Sequence, residues 1–190
     1  MALRGDRFSP RELSLAKEVN DFTPTGLISS VEAMNAGRDY RELDLRAPSG
    51  LCVGATIDIS GDIETQLRLT RRKVEAGAQF FLLQTVYGAA AAGEFLDRYA
   101  DHQGHALNAP VFWGVQMLVE GGISFGAVPE WASADLERGR SGVDIALQVV
   151  TDLLRAGHRR IYVIPPIARR GPRDYDAAQA LMEAGRSLSS

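Results

Sequence analysis

Cysteine is almost missing from this chain: among 190 residues only Cys52 carries a thiol. A disulfide framework and a thiolate zinc site are therefore both excluded within one chain. Set in the apolar run LCVGATIDI, Cys52 itself reads as a buried structural residue rather than a nucleophile. Histidine is scarce too. His102, His105 and His158 show no metal-ligand spacing and read as surface residues at helix ends, so no metal site is expected. No Ser-His-Asp or Cys-His arrangement can be argued from them. Charge of one sign is also lacking, with 21 basic against 24 acidic residues and a net charge of −3. Such a balance offers no field to draw in nucleic acid or an anionic membrane. No segment approaches the roughly 20 apolar residues of a membrane-spanning helix, and the N-terminus has no apolar stretch of signal-peptide length. The expected compartment is the cytoplasm. A G-x-G-x-x-G turn follows none of the apolar runs, which argues against a dinucleotide-type sheet.

What is present is a regular alternation. With 45% hydrophobic residues and a mean hydropathy of −0.10, the chain can bury one core, and residues 1–190 are expected to form a single domain. After a polar opening, FTPTGLISSVEAMNAG (22–37) has Thr23 to cap, Pro24 for the first turn and apolar residues at helical spacing. LCVGATIDI (51–59), QFFLLQTVY (79–87), APVFWGVQML (109–118) and RRIYVIPPI (159–167) read as strands buried on both faces. Between and after them, 62–77, 89–104, 141–157 and 175–185 read as helices, with a short helix after Pro129. Ser141, three residues before Asp144, marks a capping box. This order implies a parallel sheet of βαβ units, either open and doubly wound or part of a (β/α)8 barrel. A complete barrel typically takes about 250 residues, more than this chain has.

In either architecture the chemistry gathers where parallel strands end. Those positions are Asp6 behind the apolar scrap Ala2-Leu3, then Asp58, Gln84, Gln116 and the pair Pro165-Pro166. Asp6 beside Gly5 also fits an ordinary turn. Gln84 is the more pointed signal, because an amide inside FFLLQTVY is costly to bury without partners and a ligand is one way to satisfy it. Neighbouring backbone is the other. Lys73, in the run RRK, fits a solvated basic face or a phosphate contact. Asp6 and Asp58 together could form a paired-carboxylate site.

Taken together, ALRGD (2–6), KVEAGAQFFLLQTVY (73–87), RDYRELDLRAPSGLCVGATID and RRIYVIPPI resemble the C-terminal portion of the methylenetetrahydrofolate reductase family. They are most similar to the form fused to a homocysteine S-methyltransferase. The block with Lys73, an Ala-Gly-Ala turn and Gln84 eleven residues on is the most specific part. The resemblance implies a partial (β/α)8 barrel lacking roughly the first three to four strands, holding FAD and passing a hydride from NAD(P)H to methylenetetrahydrofolate in one-carbon and methionine metabolism. It implies that Leu3, Arg4, Gly5, Asp6, Lys73 and Gln84 contact the flavin cofactor, with Asp6 and Gln84 also serving catalysis. A homo-oligomer, or a complex with a chain supplying the rest of the barrel, follows from the same likeness. The pattern departs from the family's at Leu83, where a threonine is usual, and the family's catalytic glutamate and flavin-contacting histidine lie on strands earlier than any found here. Two other readings stand beside it: a non-catalytic partner or regulatory subunit with a degenerate barrel, and a different flavin- or pterin-dependent enzyme on the same scaffold.

Overall fold

A computed structural model of the chain describes residues 1–3, 5, 8–169, 171 and 173–188. Each expected strand forms, shorter than its apolar run: β1 (Gly54–Ile57), β2 (Phe80–Thr85), β3 (Val111–Gln116) and β4 (Ile161–Ile164). The helices are α1 (Pro10–Leu13), α2 (Pro24–Asn35), α3 (Ile63–Glu75), α4 (Ala89–Gln103), α5 (Glu130–Glu137), α6 (Gly142–Arg155) and α7 (Tyr175–Leu188). Only α1 lies where no helix is expected. A local capping box builds it: Ser9 Oγ accepts from Glu12 N–H, and the Glu12 carboxylate accepts from Ser9 N–H.

The other helix starts follow their sequence signals. Thr23 Oγ1 accepts from Gly26 N–H at 3.0 Å, and Asp62 Oδ2 accepts from Thr65 N–H at 2.9 Å. Ser141 Oγ accepts from Asp144 N–H at 3.1 Å and donates to the Asp144 carboxylate at 2.6 Å. α4 begins differently, at Gly88, with no side chain capping it.

All four strands are parallel and pair in the order β1-β2-β3-β4. An order that never reverses, joined by right-handed crossovers, puts every connecting helix on the same face of the sheet. A doubly wound sheet must reverse its order to cover both faces. The chain is therefore built as (β/α) units of the barrel type, with α3, α4, α6 and α7 packed side by side along one face. Ala2 N–H donates to Gly54 O at 2.8 Å, setting Ala2 against the outer edge of β1.

One-sided cover corrects the expectation of strands buried on both faces. Ala55, Ile57, Phe81, Leu83, Val111, Trp113 and Val115 face the helices and are buried with Leu67, Phe95, Tyr99, Val149 and Leu153 in one core. Alternate residues Thr56, Phe80, Leu82, Phe112 and Tyr162 stand on the opposite face and are only partly covered. Cys52 is a second correction. It is exposed, because β1 starts two residues later and leaves it in the approach loop. His158 is a third: it is half-buried, its ring 4.6 Å from that of Trp113 in a tilted stack at the start of β4.

Candidate functional site

At the carboxyl ends of β1, β2 and β3 lies a cavity of about 490 Å³, lined among others by Asp58, Ser60, Gln84, Tyr87, Phe125 and Trp131. Its position is the one where parallel (β/α) folds gather their chemistry. Three connections make the wall: the turn after β1, the join of β2 to α4, and the long loop between β3 and α5.

Gln84 reaches this cavity through an irregularity. The β2–β3 register runs Leu83 to Trp113 and then Thr85 to Gly114, so Gln84 is an extra residue, the signature of a bulge. Bulges re-aim a side chain at the end of a strand. Gln84 is exposed, and the burial penalty that singled it out in the sequence does not arise here. Beside it, Thr85 Oγ1 and Tyr87 Oη are buried with no hydrogen-bond partner among the described residues. Both residues line the cavity. Burial also pushes the Tyr87 hydroxyl above its ordinary pKa, so it stays protonated and able to donate.

Across the cavity the wall is held by a different glutamine. Gln116, at the end of β3, is 2% exposed and uses both ends of its amide: Nε2 donates to Ile123 O at 2.7 Å, and Oε1 accepts from Phe125 N–H at 2.7 Å. Ile123 N–H also donates to Ile167 O at 2.8 Å. The loop is thereby fastened to β3 and to the segment after β4, and Phe125 stands in the cavity wall with its ring half in solvent. Asp58 lies on the near side, where its Oδ1 accepts from Ser60 N–H at 2.9 Å and Ser60 Oγ at 2.6 Å, a turn that fixes the β1–α3 connection.

Lys73 stands elsewhere. From the last turn of α3 its ammonium is carried under the sheet edge, 9% exposed, and Nζ donates to Thr56 O at 2.6 Å. Burial pulls its pKa below the ordinary lysine value. Lys73 and Gln84 are thus not brought into one cavity: the lysine ties α3 to β1 while the glutamine faces solvent. Leu3 and Gly5 are exposed beyond the edge of β1, and Arg4 and Asp6 lie outside the described residues, so the expected pairing of Asp6 with Asp58 does too. Among the described residues no group of three or more His, Cys, Asp or Glu could hold a metal ion. No helix among them is long and apolar enough to cross a membrane.

Sequence reasoning passed over Tyr162 and Phe125. Tyr162, on β4, crosses β3 to donate from its hydroxyl to Leu83 O at 3.0 Å. The available signal was Gly114, a glycine inside a strand, which often marks a close approach by something else.

No protein-family model matches the chain, and no curated protein matches it. Among solved structures it is similar to one described as an uncharacterized protein from Clostridium thermocellum that binds two copies of 5-methyl-5,6,7,8-tetrahydrofolic acid. The identity is 15% and the TM-score 0.45, over 73% of this chain and 52% of that one. The chain spans about half the length of that structure, and a likeness at this level carries no argument about its ligand.

Proposed function

We propose that the chain is a methylenetetrahydrofolate reductase-like flavoprotein, binding the ring system of FAD and a folate in the cavity at the ends of β1, β2 and β3. In this reading it carries a hydride from NAD(P)H to methylenetetrahydrofolate, giving methyltetrahydrofolate. The observation that supports it best is the placement of Gln84. The glutamine of the KVEAGAQFFLLQTVY block leaves the ladder at a bulge and faces a cavity of about 490 Å³.

The residues present fit a flat, polar-edged heterocycle. The cavity presents the aromatic side chains of Phe125 and Trp131 and the amide of Gln84, while the hydroxyls of Thr85 and Tyr87 lie buried in its wall with no hydrogen-bond partner among the described residues. Unpaired buried hydroxyls are costly, and a small movement of the wall on ligand binding would let them bond to the edge of a ring. FAD, when bound, supplies the two-electron carrier. Gln84 would orient the ring edge, Tyr87 would donate a proton in hydrogen bonding, and Phe125 with Trp131 would exclude water. Lys73 would reach a cofactor phosphate only by giving up its bond to Thr56 O. The face of the sheet that the helices leave open is the surface that a homo-oligomer, or a chain supplying further strands, would cover.

The visible spectrum of the purified chain tests the reading. Flavin absorbance near one equivalent is the expected result, and a folded, colourless protein that takes up no added FAD sinks it in favour of a non-catalytic partner. With flavin bound, oxidation of NAD(P)H with methylenetetrahydrofolate as acceptor supports the reductase. Turnover with menadione alone would instead favour another flavin- or pterin-dependent enzyme on this scaffold.

A further inference from the structure

We infer that Tyr162 is a positioning residue for Gln84, acting across β3 through the carbonyl of Leu83. The inference rests on the reading that Gln84 faces the ligand, and adds the device that aims it. Tyr162 Oη donates to Leu83 O at 3.0 Å. That carbonyl belongs to the peptide unit that also carries the Gln84 N–H. Because the unit is rigid and planar, pinning its oxygen fixes the plane from which the Gln84 side chain departs. The pinned peptide is also the one where the register slips, from Leu83–Trp113 to Thr85–Gly114. A bulge is a soft place in a ladder, and here it is held from outside.

Gly114 makes the reach possible. It lies beside Tyr162 in register between β3 and β4. A Cβ at Gly114 would meet Tyr162 Oη at 2.7 Å, Cζ at 2.8 Å and Leu83 O itself at 3.0 Å, so only glycine lets the ring lie across β3 with its hydroxyl at Leu83 O. Burial raises the Tyr162 pKa, which keeps the donor protonated through the neutral range. Three residues from three adjacent strands, Gln84, Gly114 and Tyr162, thus form one unit at the bulge.

Resonances of Gln84 in 15N-labelled protein and the affinity for added FAD test this together. Tyr162→Phe is expected to shift the backbone and side-chain amide resonances of Gln84 and to weaken FAD binding about tenfold, the scale of one well-made hydrogen bond. In Gln84→Ala the further change Tyr162→Phe should cost nothing more, because the tyrosine acts only through that side chain. Tyr162→Leu, which also removes the hydroxyl and leaves Gly114 and Leu83 untouched, should reproduce the shift; it carries the comparison should Tyr162→Phe not fold. Unmoved Gln84 resonances in the folded variants would overturn the inference, whatever happens to affinity. Should Gln84→Ala leave FAD binding intact, the ligand reading fails instead, while the Gln84 resonances in Tyr162→Phe still decide the positioning role.

Discussion

At the scale of single residues, two glutamines that the sequence places alike at strand ends meet opposite surroundings. Gln84 stands in an apolar run and draws attention as an amide that burial would penalise, yet it is exposed on a bulge. Gln116 is the buried one, and backbone at Ile123 and Phe125 partners both ends of its amide. Neither outcome is legible locally, because a one-residue slip in register decides which side chains point where. Gln116→Leu is expected to cost about 2 kcal/mol, since it leaves Ile123 O and Phe125 N–H without their buried partner. Denaturant unfolding measures that cost, and faster hydrogen exchange at the Phe125 amide would place it at the loop. His158 gives a pH dependence. Burial against Trp113 holds its pKa below the ordinary 6.5, so the folded state binds fewer protons than the unfolded state. Its contribution to stability is complete above 6.5 and lost as pH falls through the lower, folded value. His158→Gln should therefore flatten the acid side of the stability profile relative to wild type. An unchanged slope between the two would show that the ring is already free to protonate.

Elements were legible where the signal is local. Thr23, Asp62 and Ser141 cap the helices that their spacing announces, and the apolar runs become strands. Strand ends were overestimated because apolar residues continue into the turns. Cys52 and Leu118 belong to their runs by composition, but no neighbouring strand meets them. Packing between elements left less trace. Gly142 opens α6 directly against Leu118 O, at a distance that has no room for a Cβ. Gly142→Ala is expected to destabilise by about 2 kcal/mol or more, the cost of overpacking against backbone that cannot yield. A thermal melt would show it, and an unchanged midpoint would mean that α6 slides away from β3 freely. In the sequence Gly142 looks like an ordinary residue after a cap.

For the whole molecule, one core joins Ala2, Ile28 and Ala55 to Phe95, Val149 and Leu181, drawing on every strand and on α2, α3, α4, α6 and α7. Unfolding should then be one cooperative transition, with the fluorescence of Trp113 and Trp131 and the far-ultraviolet circular dichroism changing together. Separate midpoints would indicate that the segment bearing Trp131 opens alone. By itself the sequence determined that the chain alternates strand and helix, where the helices after α1 start, and that its sheet is parallel, because capping side chains and runs of apolar residues act over a few neighbours. Only the tertiary structure decided that the strand order never reverses, that the helices cover one face alone, and that Tyr162 reaches Leu83 across Gly114 to hold the bulge at Gln84. Those features depend on contacts between residues as far apart as Leu83 and Tyr162, and no local pattern of spacing or propensity encodes them.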